Sequence, residues 1–212
     1  MLTVHHLGKS QSERIVWLCE ELGISYELKV YDRDKVTRLA PPEYKALHPL
    51  GAAPVITDED VVLAESAAII EYIVAKYGKG RLVLRPDHPD FAQFLYWFHF
   101  ANGTLQPATG RNMILGRLNL PSDNPMLRAM KGRLDLALGL IEARLATVEY
   151  LAGAFTTADI MSVFSLTTMR LFLPFDLAPY PAILAYLQRI GRRDAYQRAM
   201  SKGDPDMVPL LT

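Results

Sequence analysis

The sequence predicts a small α/β domain followed by an all-α helical domain, and three features of the chain indicate this fold class. Up to Tyr77, short strand-like runs alternate with segments of helical periodicity. Residues 78–89 contain two glycines, two prolines and mixed charges, which is typical of a linker. From Asp90 onward, apolar residues recur at helical spacing. We therefore expect one domain over residues 1–78, a linker over 79–89 and a helical domain over 90–212.

The first domain opens with a strand, a helix and a second strand. Residues 2–5 and 25–30 are the two predicted strands. Between them, apolar residues at i, i+3, i+4 and i+7 predict a helix with one buried face: Ile15, Leu18, Cys19 and Leu22. Ser12 is the expected N-cap of this helix, and Gly23 is its expected C-terminal stop. Two parallel strands joined by a crossover helix would begin a βαβ unit.

A β-hairpin follows a short helical piece at residues 41–47. Residues 55–57 and 61–64 are rich in β-formers and flank an acidic turn at 58–60. Pro54 stands at the entry to the first of these strands, a position that suits proline because it cannot donate to a sheet ladder. The hairpin completes a β-α-β-α-β-β order before the next helix.

Two backbone features around the hairpin indicate a ligand site. A cis bond between Ala53 and Pro54 would turn the N–H and C=O of Ala53 outward, where an extended peptide ligand can pair with them. Glu65 and Ser66 open the following helix, which has apolar residues at helical spacing. The free N–H groups at its first turn would face an anion.

The motif Gly51-x-x-Pro54, followed by the hairpin and by Glu65-Ser66, resembles the glutathione-binding half of the cytosolic glutathione transferases. The resemblance implies a thioredoxin-like N-terminal domain joined to an all-α C-terminal domain. It also implies that Ala53 pairs with the cysteinyl backbone of glutathione, and that Glu65 and Ser66 hold the γ-glutamyl end. The Cys-x-x-Cys motif of disulfide oxidoreductases does not occur in the sequence.

The chain departs from the family pattern at Ala52. Relatives commonly have a lysine or another polar donor at this position, where it reaches the tripeptide. His48 and Lys35 are candidates to compensate, as are Lys45 and Arg38, and no spacing selects one of them. The resemblance therefore leaves open how the glycyl end of glutathione is held.

Ser10 is the candidate catalytic residue, because the spacing Ser10-x-x-x-Arg14 resembles that of the serine-type transferases. Free thiols have a pKa of about 8.5, so a hydroxyl that donates to the sulfur favours the reactive thiolate. Ser12 is the alternative, although its place at the helix start also suits a cap. Cys19 falls on the apolar stripe of the first helix and is expected to be a buried hydrophobe, not a nucleophile.

The second half of the chain is predicted to form a series of helices. The longest apolar stripe comprises Leu127, Met130, Leu134, Leu138, Ile141 and Leu145. Thr156 and Asp159 form a capping-box pattern ahead of an apolar run at 160–173. The polar tail at 202–212 is expected to pack lightly. The electrophile pocket is expected near the Ser10 loop, lined by residues of an aromatic-rich stretch and the turn after it: Phe100, Gly103, Thr104, Pro107 and Arg111.

Composition excludes several classes of partner. The formal net charge of the 212 residues is zero, which gives no electrostatic case for nucleic acid or an anionic membrane. No apolar run is long enough to span a bilayer, and the N-terminus lacks the pattern of a secretory signal. A single cysteine fits a reducing cytoplasm, and no zinc or other metal-ligand spacing is found.

The sequence therefore predicts a glutathione S-transferase in which the thiolate of glutathione attacks a small apolar electrophile. The family resemblance implies a homodimer with glutathione as co-substrate. A glutathione-dependent peroxidase, isomerase or dehalogenase on the same fold remains an alternative. A non-catalytic transferase-like binding or regulatory protein is another, and Ala52 is the feature that favours it.

Overall fold

A computed structural model describes residues 1–118, 121 and 123–212, and these residues pack into two units. The first unit contains Met1–Leu82 and Arg192–Pro209, and the second contains Val83–Gly191 and Leu210–Thr212. The expected linker at 79–89 contains the first change from one unit to the other. The return of residues 192–209 to the first unit is not anticipated by the sequence pattern.

A four-stranded mixed sheet forms the centre of the first unit. Its strands are β1 (Leu2–Leu7), β2 (Glu27–Tyr31), β3 (Val55–Asp58) and β4 (Val61–Ala64), in the spatial order β2-β1-β3-β4. β1 is parallel to β2 and antiparallel to β3, which pairs antiparallel with β4. The predicted hairpin is confirmed, and the strand that opens the chain is two residues longer than predicted.

The helices that the sequence predicts begin close to the expected positions, but the sequence singled out no helix at 106–116 or 194–203. The helix after Thr156 ends at Leu166, before the end of the apolar run at 160–173. In chain order they are α1 (Glu13–Leu22), α2 (Pro42–Lys45), α3 (Ser66–Lys76), α4 (Phe91–Phe100), α5 (Gln106–Gly116), α6 (Pro125–Leu145), α7 (Thr157–Leu166), α8 (Pro181–Gly191) and α9 (Asp194–Gly203). A π-helical turn, Ala101–Leu105, joins α4 to α5, and a 3-10 turn, Thr168–Leu171, follows α7. Pro107 lies in the first turn of α5, where its missing N–H leaves one helical hydrogen bond to the preceding turn unmade.

In the first unit, α9 packs on α1 through aromatic and charged contacts. The rings of Trp17 and Tyr196 meet edge to face at 4.9 Å. Glu20 of α1 forms ion pairs with Arg198 and Lys202 of α9, at 3.0 and 2.5 Å. The expectation that the tail packs lightly from residue 202 is wrong for Gly203 and Asp204, which are buried at the end of α9, whereas residues 205–212 are exposed or half-buried as expected.

The sequence predicted the cap residues at both ends of α1, and the structure agrees more fully at the C-terminal end. Gly23 ends the helix in the left-handed conformation, with φ of 60°, as expected. Ser12 occupies the N-cap position as predicted, but its side chain makes no capping hydrogen bond. The physical reason is that its hydroxyl oxygen is already bonded to groups at the end of β1.

In the second unit, the predicted capping box at the start of α7 is confirmed. The carboxylate of Asp159 accepts the backbone N–H of Thr156 at 2.9 Å and that of Leu151 at 3.1 Å. Tyr186 of α8 donates its hydroxyl to the same carboxylate at 3.0 Å. The box therefore joins α7 to α8 as well as starting α7.

Of the helices in the described ranges, none combines the length and apolar character that a membrane span requires. Nor do the described residues group three or more His, Cys, Asp or Glu side chains in a way that would hold a metal ion.

Candidate functional site

Three strand ends meet at one edge of the sheet in the first unit. His5 of β1 lies opposite Val55 of β3, so the end of β1 adjoins the start of β3. Val55 also lies opposite Ala64, the last residue of β4. The sequence motifs are attached to these three ends: the Ser10 loop after β1, the Ala53-Pro54 bond before β3 and the Glu65-Ser66 pair after β4. The register of the sheet thus brings together segments more than fifty residues apart.

Ser10 lies in the loop between β1 and α1 and is 4% exposed. Its hydroxyl oxygen lies 2.7 Å from that of Ser12 and accepts the backbone N–H of Ser12 at 3.2 Å. The backbone C=O of Ser10 accepts the N–H of Glu13, which ties the loop to the first turn of α1. Ser12 is fully buried behind Ser10. Of the two candidate serines, Ser10 is thus the one closer to solvent.

Two residues that the sequence did not single out extend this cluster inward. His6 of β1 is fully buried, and its Nδ1 lies 2.9 Å from the hydroxyl oxygen of Ser12. Its Nε2 lies 3.1 Å from a carboxylate oxygen of Asp204, the residue after α9. A histidine at the end of a strand carries no distinctive spacing, and Asp204 is 198 residues away in the chain. No local pattern could have paired them.

Arg14 connects the serine loop to the start of α3. This fully buried guanidinium donates to Gln11 Oε1 at 3.0 Å and to the hydroxyl oxygen of Ser66 at 3.2 Å. Burial lowers the pKa of Arg14 to about 10, and the nearby Glu13 opposes this in part. Ser66 is also buried, at 2% exposure. Arg14 therefore fixes the distance between the two predicted halves of the site without reaching the surface.

The predicted backbone features of the glutathione site are present in the first unit. The Ala53-Pro54 bond is cis. Glu65 is exposed at the N-terminus of α3 and has a positive φ of 73°, which directs the chain sharply from β4 into the helix. Ala52 is exposed, and no polar side chain stands at that position.

Comparisons with known proteins show the family. Residues 1–75 match the family model described as the N-terminal domain of glutathione S-transferase. The whole chain is 33% identical to glutathione S-transferase 3 of Schizosaccharomyces pombe and covers 92% of it. The chain belongs to the glutathione S-transferase family. It is also 27% identical to glutathione S-transferase 1 of Saccharomyces cerevisiae, over 95% of each chain.

Solved structures agree with this assignment. A glutathione S-transferase from Actinobacillus pleuropneumoniae superposes with a TM-score of 0.87 at 33% identity, with 96% of this chain and 93% of that chain covered. A glutathione transferase from Phanerochaete chrysosporium, crystallised with oxidised glutathione, superposes at 0.74 with 25% identity, covering 95% and 94%. The predicted thioredoxin-like domain and helical C-terminal domain are confirmed, and the protein is a transferase.

The other glutathione-site candidates of this transferase are dispersed. Lys35 follows β2, on the opposite side of β1 from β3 and β4, and is exposed. It lines a cleft of about 530 Å³ in the first unit together with Lys9, Arg33 and the tail from Gly203 to Met207. His48 is half-buried, and its Nδ1 accepts the backbone N–H of Leu50 at 3.2 Å. The structure does not bring His48 and Lys35 together.

The electrophile-pocket candidates differ in accessibility. Gly103, Thr104 and Arg111 are exposed and Pro107 is half-buried. Phe100 is 6% exposed, because its ring packs against neighbouring aromatic rings of α4, those of Tyr96 and Trp97. A cleft of about 460 Å³ in the second unit is lined by other residues, among them Leu115, Leu134 and Phe175.

Cys19 is completely buried in α1, as expected. Burial raises the pKa of the Cys19 thiol far above its ordinary value, and the nearby Glu20 adds to the effect. This thiol is therefore neither accessible nor ionised at neutral pH, as expected of a buried apolar residue.

Proposed function

We propose that this transferase activates the thiol of glutathione with the hydroxyl of Ser10 and conjugates the resulting thiolate to a small apolar electrophile. The observation that carries the proposal is the meeting of the serine loop, the Ala53-Pro54 bond and the Glu65-Ser66 pair at one edge of the sheet. Each of these motifs is weak by itself. Their convergence in a member of this family supports a single tripeptide site.

Ser10 is suited to hold a thiolate as a hydrogen-bond donor. It lies directly ahead of α1, whose N-terminal dipole favours negative charge nearby. A hydrogen bond to an ionised sulfur is stronger than one to a neutral thiol, so it lowers the pKa of the thiol. The backbone of the loop is held by the Glu13 N–H bond to the Ser10 carbonyl at 3.1 Å, which fixes the position of the Ser10 oxygen.

The γ-glutamyl end of glutathione is assigned to Glu65 and Ser66. The exposed carboxylate of Glu65 would accept from the ammonium group, and Ser66 would give its hydroxyl and N–H to the carboxylate. Arg14 supports this role, since its guanidinium donates to the oxygen of Ser66. The Ser66 hydroxyl donates to Gln11 Oε1 over a long 3.4 Å, a bond that a ligand carboxylate would replace. The backbone of Ala53 is assigned to the cysteinyl residue, and His48, in the turn just before it, to the glycyl end. Lys35 is not assigned to the site, because it follows β2 on the other side of β1.

The electrophile is assigned to the turn between α4 and α5. Gly103, Thr104, Pro107 and Arg111 are the accessible candidates for contact with the electrophile, and the buried ring of Phe100 is the apolar one. We also place the protein in the cytoplasm as a homodimer. The exposed apolar side chains Leu95 and Tyr96 on α4 support the dimer, which sedimentation equilibrium would test against a monomer mass of 23.8 kDa.

Calorimetric titration with reduced and oxidised glutathione tests the proposed site. We expect reduced glutathione to bind with a Kd below roughly 1 mM, the usual upper limit for enzyme substrates. Binding of neither form would refute the site. Turnover of a panel of electrophiles and hydroperoxides then separates the reactions. Reduction of hydroperoxides without conjugation would replace the proposed transfer reaction by a peroxidase reaction.

A further inference from the structure

A continuous chain of buried polar side chains runs inward from Ser10. The hydroxyl oxygens of Ser10 and Ser12 are 2.7 Å apart, and that of Ser12 is 2.9 Å from His6 Nδ1. His6 Nε2 is in turn 3.1 Å from Asp204 Oδ2. All four residues are at most 7% exposed. Buried polar groups are costly unless they are bonded to each other, so this arrangement is specific rather than incidental packing.

The bonds of Asp204 assign the protons on His6. One carboxylate oxygen of Asp204 accepts the backbone N–H of Lys9 at 2.8 Å, and the other faces His6 Nε2. An ionised carboxylate can only accept, so with Asp204 in that state the proton between the two groups belongs to Nε2. In a neutral ring Nδ1 is then an acceptor, and the hydroxyl of Ser12 supplies its proton. The alternative acceptor for Ser12, the carbonyl oxygen of Leu7, is farther away at 3.3 Å.

This assignment determines which way Ser10 points. The oxygen of Ser12 already accepts the backbone N–H of Leu7 at 3.0 Å, and its one proton is directed to His6. The short contact with Ser10 can therefore form only if Ser10 donates to Ser12. With its proton directed inward, Ser10 offers an incoming thiol a lone pair and not a proton. Ser10 can donate to a thiolate only after the whole chain of hydrogen bonds has reversed.

We propose that binding of glutathione reverses the chain and transfers the thiol proton to His6, which makes His6 and Asp204 positioning residues for Ser10. The proposal rests on the proposed role of Ser10. The S–H bond breaks and its electrons remain on sulfur, while the proton passes to Ser10. Ser10 gives its own proton to Ser12, and Ser12 gives its proton to His6 Nδ1. Each hydroxyl keeps one proton, and Ser10 now donates to the thiolate.

The resulting imidazolium lies between Ser12 and the carboxylate of Asp204, which stabilises its charge. After the conjugate departs, the proton returns along the same atoms to water in the emptied site. The position of Asp204 depends on the packing of α9 on α1. It also depends on Gly203, since a Cβ there would lie 3.0 Å from His6 Nε2. Gly203 and Asp204, at the end of α9, thus position His6 for proton transfer from the Ser10 loop after β1.

The test compares Asp204→Asn with Asp206→Asn, which removes the same charge from an exposed residue two positions along the tail. The pKa of bound glutathione is measured from the ultraviolet absorbance of its thiolate. We expect Asp204→Asn to raise the thiol pKa of bound glutathione by about one unit. This shift lowers kcat/KM about tenfold at neutral pH, and the loss is recovered at alkaline pH. Asp206→Asn should match the wild type. Affinity for S-methylglutathione, which has no thiol proton, should be unchanged in both variants.

A thiol pKa that stays at the wild-type value in folded Asp204→Asn but rises in Ser10→Ala would overturn the proton transfer and leave the proposed function intact. Failure of the wild-type protein to bind glutathione would overturn both. If Asp204→Asn does not fold, nitrogen NMR of the His6 ring in the wild-type protein tests whether the thiol proton reaches His6. We expect Nδ1 to gain a proton with glutathione and not with S-methylglutathione. An unchanged ring in both complexes contradicts the proposal.

Discussion

Replacement of Ser10 by alanine tests the proposed chemistry most directly. A hydrogen bond to a charged group contributes about 1.5–3 kcal/mol, so its loss should raise the pKa of the bound thiol by about 1–2 units. The corresponding loss of kcat/KM at neutral pH is about 10- to 150-fold. The loss of kcat/KM should be smaller at alkaline pH, because there the thiol ionises without the hydrogen bond from Ser10.

The same substitution has a structural cost that must be separated from the chemical one. Alanine leaves the backbone N–H of Ser12 without its 3.2 Å acceptor, which lowers the free energy of unfolding by about 1–2 kcal/mol. Ser162→Ala is a matched control, since Ser162 is a buried serine of α7 whose hydroxyl donates to the Ala158 carbonyl at 2.9 Å. Ser162→Ala should lower the free energy of unfolding by a similar amount and leave kcat/KM unchanged.

The assay is conjugation of a chromogenic nitroaryl halide over a range of pH, with urea unfolding of each variant alongside. Wild-type values of kcat/KM and of the thiol pKa in Ser10→Ala would refute the role of Ser10. Ser12→Ala would then be the next variant, because Ser12 is the other hydroxyl in the loop.

Three further predictions concern stability and reactivity. Cys19 should react with a thiol reagent only at urea concentrations that unfold the protein, and labelling of the native state would contradict its burial. Although burial opposes ionisation of Asp58, hydrogen bonds from Lys76 and two tyrosines hold its pKa at about 2. Its carboxylate should therefore contribute about 2 kcal/mol to stability above roughly pH 4, a contribution lost as pH falls through about 2. The urea stabilities of wild type and Asp58→Asn should accordingly converge in acid, and a constant difference would refute the assignment. Asp159→Asn turns an amide N–H₂ toward a backbone N–H of the capping box, so it should cost about 1–3 kcal/mol in urea unfolding. Unchanged stability would show that the box at Thr156 contributes nothing.

The sequence by itself determined the features that depend on neighbouring residues. The hairpin after Pro54, the left-handed stop at Gly23 and the capping box at Thr156 follow from the conformational preferences of a few adjacent residues. Such preferences act over one or two turns of chain, so they can be read locally. The same motifs, through their resemblance to a family, predicted the fold and the class of reaction.

Only the tertiary structure decided which polar groups meet in the buried cluster. Ser12 occupies the N-cap position of α1, but its hydroxyl bonds Leu7 and His6 at the end of β1 and not the first turn of the helix. Asp204 appeared to belong to a loosely packed tail, and the docking of α9 on α1 buries it against His6. The physical reason is distance along the chain: local preferences say nothing about side chains 198 residues apart, whose contact is set by how whole elements pack.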